Sequence, residues 1–293
     1  MKLALVGGQD IADYSIADRL WDLVMEVSGV EFDFEIVPLG TDGMVDIFWQ
    51  AFLADREFLG FNVARPWKRR FASLVDDAQL VHTDTPFINT VYKSAGRTYA
   101  ANTDILGVSE SIEARCTIAG KVILILGMGG VGIPATYHLF EKGAREIYLF
   151  DIVPTKIPDD RPRVLQSFHE VYQYRYDIVV NATPCGKLFL GRIPQSYCSP
   201  VGARFFRGCV HPGTIIQEMN YLPLVTEFLE NARHRGLEII SGVEVLVRQA
   251  VHSFYLYTGR KFDSSQTSFL IAEVSKVAME KEDAILRQRT EWS

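Results

Sequence analysis

The sequence has few cysteines, and they show no pattern that would bind a metal or form a disulfide framework. Cys116, Cys185, Cys198 and Cys209 have neither CxxC nor Cys/His spacing. A chain so poor in cysteine is expected in a reducing, cytoplasmic compartment. The histidines also lack ligand spacing, so none of them is expected to be catalytic or to bind a metal; they are His82, His138, His169, His211, His234 and His252.

Long apolar runs and excess positive charge are missing as well. No apolar stretch approaches the roughly 20 residues that cross a bilayer, and the start MKLALVGGQD is typical of a first strand, not of a signal peptide. The formal net charge of −6 argues against a nucleic-acid partner, and the basic cluster Lys68-Arg69-Arg70 is too short to change this. We therefore expect neither nucleic acid nor a membrane as a partner.

Strand-like and helix-like patterns alternate over the first hundred residues. The predicted strands are LALVG, FEIVPL, FLGFNVA, FINTVY and TYAAN, and helices are predicted over Ile16–Val27 and Val45–Ala54. Strands interleaved with helices indicate an α/β sheet of mixed or parallel type. At 293 residues, the chain is long enough for a second domain of ordinary size.

A second α/β pattern begins near Gly120, after a domain boundary predicted in a helical linker around Gly107–Ser111. The strand KVILILG is apolar throughout, as expected when both faces are buried. A glycine loop, a helix over Pro134–Glu141 and the strands EIYLFD and YDIVVNAT follow. This order is typical of a nucleotide-binding half-sheet. A last amphipathic helix is predicted over Ser264–Arg287.

The glycine loop has the spacing of a dinucleotide site. It fits G-x-G-x-x-G between a buried strand and a helix, and it consists of Gly127, Met128, Gly129, Gly130, Val131 and Gly132. About twenty residues later, Asp151 ends the strand IYLFD, where a carboxylate can bind both ribose hydroxyls. A carboxylate there would repel the 2′-phosphate of NADP, so NAD is the preferred cofactor and NADP the alternative. Methyltransferases also carry an acid after a glycine loop, so the loop alone leaves hydride and methyl transfer open.

Several segments, in order over about positions 58–260, together resemble the shikimate/quinate dehydrogenase family. FNVARPWK is similar to its N-V-T-x-P-x-K segment, INTV to its V-N-T, and ANTDILGV to its N-T-D-x-x-G. GMGGVG and NATPCGK resemble its glycine loop and N-A-T-P-x-G segment. Four further family patterns are matched towards the C-terminus. MNYLPLVT matches Y-x-P-x-x-T, Gly242 matches a single G, LVRQA matches L-x-x-Q-A, and the final TG matches T-G.

The resemblance implies an architecture and an activity. An N-terminal α/β substrate domain (residues 1–107) precedes a Rossmann domain (108–242), and C-terminal helices (243–293) return to the first domain, with the active site between the two. The expected enzyme is a monomer or homodimer that transfers hydride between a nicotinamide dinucleotide and a secondary hydroxyl or ketone of a small cyclic polyol.

The resemblance also implies roles for single residues. Lys68 and Asp104 match the catalytic pair, in which a lysine relays the hydroxyl proton and an aspartate orients it. Asn62, Asn89 and Gln249 match family positions that hold the substrate ring, and Tyr221 matches a position near the substrate carboxylate. Beyond the glycine loop and Asp151, the cofactor side is formed by Asn181, Ala182, Thr183 and Gly242. The alternatives are turn or edge-strand amides for Asn62 and Asn89 and a core residue for Tyr221.

One segment departs from the family pattern. Where the family reads P-I-x-H-S-x-S-P-x-x-H, this chain has DIADYSIADRL, so Tyr14 and Ile16 replace two carboxylate-binding serines. A one-residue slip recovers only Ser15. In the N-V-T segment, Ala64 replaces the threonine. Each lost bond to a charged group costs about 1.5–3 kcal/mol, so these changes predict a substrate other than shikimate.

Two alternatives to that prediction stay open. The chain could be a genuine shikimate or quinate dehydrogenase with a rearranged carboxylate site, in which Tyr14 still donates one bond. It could also be a catalytically silent dinucleotide-binding sensor, which would have no use for the proton relay of Lys68 and Asp104.

Overall fold

A computed structural model describes residues 1–79, 86–153, 157, 159–188 and 199–290, with side chains as far as residue 287. Two of the residues discussed above, His82 and Cys198, lie outside these ranges. The chain forms two compact units, which are residues 1–103 with 249–277, and residues 104–248 with 278–293. The predicted domain bounds stay a prediction.

The first unit contains a mixed sheet. Its strands are β1 (Lys2–Gly7), β2 (Asp33–Pro38), β3 (Phe58–Val63), β4 (Asp77–Gln79), β5 (Thr90–Ser94) and β6 (Arg97–Ala101). They lie in the order β2-β1-β3-β5-β6-β4. β1 pairs in parallel with β2 and β3, whereas β5 is antiparallel to both β3 and β6. Residues 87–89 precede β5 and are not part of it, so the strand predicted for FINTVY begins later than expected.

Helices and an aromatic core cover this sheet. The helices before residue 103 are α1 (Ile11–Tyr14), α2 (Ala17–Ser28), α3 (Asp42–Ala54) and α4 (Lys68–Ala72). Phe61 on β3 has its ring centroid 4.9 Å from those of both Phe52 and Phe71. Because side chains alternate along a strand, Phe61 and its neighbour Asn62 lie on opposite faces of the sheet. This aromatic packing therefore positions Asn62 on the other face.

The second unit contains a wholly parallel sheet. Its strands are β7 (Val122–Leu126), β8 (Glu146–Phe150), β9 (Arg163–Leu165), β10 (Ile178–Asn181), β11 (Ile215–Glu218) and β12 (Glu238–Ile240). Their order is β12-β11-β10-β7-β8-β9. Read from β9, this is the 3-2-1-4-5-6 order of a Rossmann fold, with the strand order reversing between β7 and β10. The predicted α/β class with a substrate unit and a Rossmann unit is confirmed.

The remaining helices belong to the second unit or pass through both. The second unit contains α5 (Asp104–Glu113), α6 (Gly132–Glu141), α7 (Phe168–Val171), α8 (Ala203–Gly208) and α9 (Glu227–Arg233). α10 (Gly242–Thr258) and α11 (Ser264–Thr290) each contribute residues to both units. α5 begins at Asp104, before the linker predicted around Gly107–Ser111, so Gly107 lies inside the helix.

Helix starts were predicted less well than strands. α3 begins three residues before the predicted Val45, because the Thr41 hydroxyl accepts a hydrogen bond from the Met44 backbone N–H at 3.3 Å and caps the helix earlier. In the described part of the chain, no helix combines the length and the apolar character that a membrane crossing requires.

Candidate active site

A buried network of amides and hydroxyls lies in the first unit. Asn62 Nδ2 donates to the backbone oxygen of Asn89 (3.3 Å), to Thr90 Oγ1 (3.2 Å) and to Ser253 Oγ (3.1 Å). Register explains the closeness, because Asn62 on β3 is paired with Thr90 on β5. The predicted residue Asn62 is therefore held by three polar atoms, which come from β5, from the residue before it and from α10.

Asn89 joins the same network from the loop before β5. Its Nδ2 donates to Thr103 Oγ1 (2.9 Å) and to Gln249 Oε1 (3.1 Å), and its Oδ1 accepts from the Thr103 backbone N–H at 2.7 Å. Thr90 and Ser253 connect the two halves, with their hydroxyl oxygens 2.8 Å apart. Three of the predicted substrate-binding residues, Asn62, Asn89 and Gln249, thus lie in one network.

Three members of this network were not predicted. Thr90, Thr103 and Ser253 are each 0 % exposed. A signal was available for all of them. Thr90 and Thr103 follow the asparagines of the two motifs INTV and ANTD, and Ser253 lies one helical turn after Gln249, to whose carbonyl it donates at 3.0 Å. These hydroxyls set the orientation of the three amides.

The predicted catalytic pair occupies two helix starts. Lys68 is the first residue of α4 and Asp104 the first residue of α5, and both side chains are half-buried. An aspartate in the first turn of a helix is stabilised by the helix dipole. Lys68 falls in the first unit and Asp104 in the second, so the pairing of the two stays a prediction.

The segment around Tyr14 and Ile16, which departs from the family pattern, lies in the first unit. Tyr14 is the last residue of α1, and burial raises the pKa of its hydroxyl, with Asp10 adding to the shift and Arg65 opposing it. The phenol is thus neutral at pH 7 and can donate a hydrogen bond. Ser15 Oγ accepts from the Ala17 backbone N–H at 3.1 Å at the start of α2. Ile16 is only 2 % exposed, and Ala64 follows β3 half-buried.

In the second unit, the glycine loop lies between β7 and α6. Gly127 has φ +104°, and a Cβ there would lie 2.8 Å from the carbonyl carbon of Ala182. A Cβ at Gly132 would lie 1.9 Å from the carbonyl oxygen of Gly127. By contrast, a Cβ at Gly129 would meet no described atom within 4 Å. Tight packing at the first and third glycines, with open space at the second, fits a loop whose backbone receives a pyrophosphate.

The rest of the loop supports the same fit. Met128 is buried, and Gly130 and Val131 lead into α6, whose start is not capped by any described side chain. Uncapped N–H groups at a helix N-terminus favour an anion. A dinucleotide, when bound here, would supply the hydride chemistry. The residues that would hold it are the loop and the strand ends beside it.

Asp151 follows β8 and has two backbone donors. Its Oδ2 accepts from the Met128 N–H at 2.7 Å, and its Oδ1 accepts from the Val153 N–H at 3.0 Å. The carboxylate therefore shapes the glycine loop directly. Each carboxylate oxygen can accept more than one bond, so capacity for ribose hydroxyls is left.

The segment after β10 packs against the glycine loop. Asn181 Oδ1 accepts from the backbone N–H (3.1 Å) and hydroxyl (2.6 Å) of Thr183, forming a tight turn, and the Ala182 N–H donates to Leu126 O at 2.7 Å. At the start of α10, a Cβ at Gly242 would lie 2.2 Å from the carbonyl oxygen of Asn220. Glycine is required there by close backbone approach. Tyr221 follows Asn220 and is half-buried.

Metal-binding groups are not gathered anywhere in the described ranges, where no cluster of three or more His, Cys, Asp or Glu could hold an ion. His138 and His211 instead make structural contacts, with Ser109 Oγ at 3.0 Å and Asp177 Oδ1 at 3.1 Å.

Known proteins resemble the chain over most of its length, although no family model matches it. It is 27 % identical over 267 residues to a shikimate dehydrogenase (NADP(+)) of Caldicellulosiruptor bescii, covering 86 % of this chain and 87 % of that one. It is 26 % identical over 220 residues to a quinate/shikimate dehydrogenase (NAD(+)) of Corynebacterium efficiens, covering 70 % and 74 %.

Solved structures share the fold. A chorismate mutase/shikimate 5-dehydrogenase fusion protein from Clostridium acetobutylicum superposes with a TM-score of 0.82 at 20 % identity, covering 94 % of this chain and 98 % of that one. The 5-ketofructose reductase of a Gluconobacter strain gives 0.74 at 21 % identity, with 94 % and 98 % covered. The curated relatives and the motifs that lie in order along the sequence make the chain similar to the shikimate/quinate dehydrogenase family, and the solved structures show that it shares their fold.

Proposed function

We propose that this chain is an NAD(P)-dependent dehydrogenase that interconverts a ring hydroxyl and a ketone of shikimate or quinate. Curated relatives with that activity in their names match most of the chain. The prediction of a substrate other than shikimate finds no support among them, so the alternative of a genuine shikimate or quinate dehydrogenase becomes the leading one.

The network around Asn62 and Asn89 is the observation that carries this proposal. Its amides are fixed in orientation by the buried hydroxyls of Thr90, Thr103 and Ser253. An amide both donates and accepts, as does a ring hydroxyl. A preorganised set of amides binds a polyol without first having to be ordered, which favours this class of substrate.

Lys68 and Asp104 take the proton-transfer roles. As hydride leaves or joins the carbon, the proton on the neighbouring oxygen must move with it. The Lys68 amine would receive or donate that proton, and the Asp104 carboxylate would keep the amine oriented. Transfer by a positioned acid or base contributes about 10²–10⁴-fold to a rate.

Tyr14 and Arg65 are the candidates for holding a substrate carboxylate. The pKa of Tyr14 is raised mainly by burial, and the positive charge of Arg65 acts on the same hydroxyl. A neutral phenol donor together with a guanidinium suits an anion. Asp10 opposes them and weakens the site.

A second candidate substrate is a polyol or ketose without a carboxylate. Ile16 and Ala64 have apolar side chains where the family has hydroxyls, and Ile16 is buried at 2 % exposure. A relative of the same fold is named as a 5-ketofructose reductase. This combination favours testing neutral ring substrates beside the acids.

The test is an absorbance assay of the reduced nicotinamide with NAD and NADP. Shikimate, quinate and neutral cyclic polyols would be supplied in parallel. Turnover of shikimate or quinate supports the leading function, and turnover of neutral polyols alone supports the second. Dinucleotide binding without turnover of any of them would favour the sensor.

We also propose a preference for NAD, based on Asp151. The relatives differ on this point, since one is named for NADP(+) and the other for NAD(+). Asp151 follows β8 and contacts the loop through Met128, which puts a negative charge where a 2′-phosphate would have to lie.

Asp151→Asn should therefore raise the ratio of kcat/KM for NADP to that for NAD by about tenfold or more, because the repulsion is removed. Asparagine keeps an oxygen for the Met128 N–H, so the loop should stay folded. Asp160→Asn, an exposed aspartate of the same unit, is the matched control. An unchanged ratio would mean that Asp151 does not set the preference.

A further inference from the structure

Glu218 is a fully buried carboxylate at the end of β11. It is 0 % exposed, and its hydrogen-bond donors in the described chain are all neutral. Oε1 accepts from the N–H groups of Met219 (2.9 Å) and Asn220 (2.9 Å) and from Asn220 Nδ2 (2.8 Å). Oε2 accepts from Thr226 Oγ1 (2.9 Å), and Asn181 Nδ2 lies 2.8 Å from Oε2 and 3.0 Å from Oε1.

The five donors suit the ionised form of Glu218, because both of its oxygens then accept hydrogen bonds. Burial raises the pKa of Glu218 to about 7, against the opposing effect of the donors. A buried charge without a cation is costly, and such groups occur where the hydrogen bonds serve a purpose beyond packing. Five donors converge on the two oxygens, which an amide in the same place could not match.

The donors to Glu218 are also the groups that hold the turn after β10. With Nδ2 turned to Glu218, Asn181 presents Oδ1 to the N–H and hydroxyl of Thr183. Asn220 Nδ2 donates on its other side to the carbonyls of Thr183 (3.0 Å) and Cys185 (3.1 Å). Glu218 thus fixes the orientation of two amides, and these fix residues 183 and 185.

The turn after β10, held in this way, fixes the position of the glycine loop. Asn181 is in register with both Leu126 on β7 and Glu218 on β11. Directly after them, Gly127 contacts Ala182 and Thr183 so closely that a Cβ would lie 2.8 Å and 3.0 Å from their backbone atoms. A shift of the turn by a few tenths of an ångström therefore reaches the first residue of the dinucleotide loop.

We propose that Glu218 is a positioning residue of the dinucleotide site, which acts by orienting Asn181 and Asn220 so that the turn 181–185 is held against Gly127. The effect on turnover rests on the proposed function, whereas the effect on the turn does not. Thr226 also belongs to this arrangement. Its hydroxyl oxygen accepts from the Leu229 N–H at 3.3 Å and so caps the start of α9.

The experiment compares Glu218→Gln with the wild-type chain. Amide hydrogen exchange of residues 181–186, measured without ligand, should become faster in the variant. The NH₂ group of the new glutamine would face donors and could not accept their hydrogen bonds. The fluorescence of NADH and NADPH should report binding that is weaker by about tenfold or more. In turnover, KM for the dinucleotide should rise more than kcat falls.

Glu244→Gln is the matched control. Glu244 is also buried, at 6 % exposure, but it pairs with Arg115 and Arg248 through contacts of 2.6 Å and 2.9 Å. This variant should lose stability and leave exchange in the turn unchanged. If Glu218→Gln does not fold, Thr226→Val removes one donor and Thr226→Ser restores it, so exchange should rise in the first and return in the second.

The outcomes separate the two proposals. Faster exchange in the turn with weaker dinucleotide binding supports positioning. A wild-type chain that binds neither NADH nor NADPH overturns the proposed function and with it the role of Glu218 in a dinucleotide site, whatever the exchange shows. Exchange and affinity that both match wild type, or that change equally in Glu244→Gln, would overturn the positioning role.

Discussion

Lys68→Ala should lower kcat by about 10²–10⁴-fold, the usual contribution of a positioned acid or base. The fold should be kept, because Lys68 is half-buried at the start of α4 and outside the aromatic core of the unit. Affinity for NADH or NADPH should also be kept, because the glycine loop and Asp151 belong to the second unit. Steady-state turnover with the substrate identified by the absorbance assay checks the first expectation, and fluorescence titration checks the second.

Two further variants separate proton transfer from charge. Lys68→Arg keeps the charge, but a guanidinium does not release its proton, so turnover should stay low. Arg69→Ala removes the next cation, which is exposed and lies 4.3 Å from the ring centroid of Phe87, and turnover should change by no more than a few-fold. A Lys68→Ala enzyme within tenfold of wild type would remove Lys68 from the mechanism.

Gly132→Ala should abolish measurable dinucleotide binding and destabilise the second unit. The added Cβ would lie 1.9 Å from Gly127 O, so α6 or the loop must move. Overpacking of this kind costs about 1–3 kcal/mol of unfolding free energy, and the displaced loop no longer presents its N–H groups. Thermal unfolding and NADPH fluorescence measure the two effects.

Gly129→Ala is the informative partner of that variant. Since its Cβ meets no described atom within 4 Å, the unfolding temperature should equal that of wild type. The methyl group nevertheless lies where a pyrophosphate would approach, so affinity should fall by about tenfold or more. Gly202→Ala, also in open space but at the start of α8, controls for alanine itself. Equal affinity in Gly129→Ala and Gly202→Ala would contradict a dinucleotide at this loop.

The sequence predicted the central strands and the glycine loop well, because both depend on short-range patterns. The apolar run KVILILG and the alternation of strands with helices reflect burial directly. Helix starts were harder to place. The Thr41 cap begins α3 earlier than predicted. α5 begins at Asp104 because Thr103 before it belongs to the polar network, in which its backbone N–H donates to Asn89 Oδ1.

The partners within the site could not be read from spacing. Asn62 bonds to Ser253 across 191 residues of sequence, and no periodicity links the two. Glu218 looks like an ordinary acid at the end of a strand, and only its neighbours on β10 and α9 show that it is enclosed by donors. Tyr14 and Ile16 were identified by departure from a pattern, which indicates a change but not which substrate it serves.

Both units are interrupted in the chain, and this has a consequence during synthesis. The sheet of the first unit is complete in residues 1–103, but its polar network needs Gln249 and Ser253, which the ribosome adds only after most of the second unit. A nascent chain therefore lacks the contacts of Asn62 with Ser253 and of Asn89 with Gln249 until α10 emerges. Closing such distant contacts is slow, so the amides that would bind the substrate should be among the last groups to become ordered in a newly made molecule.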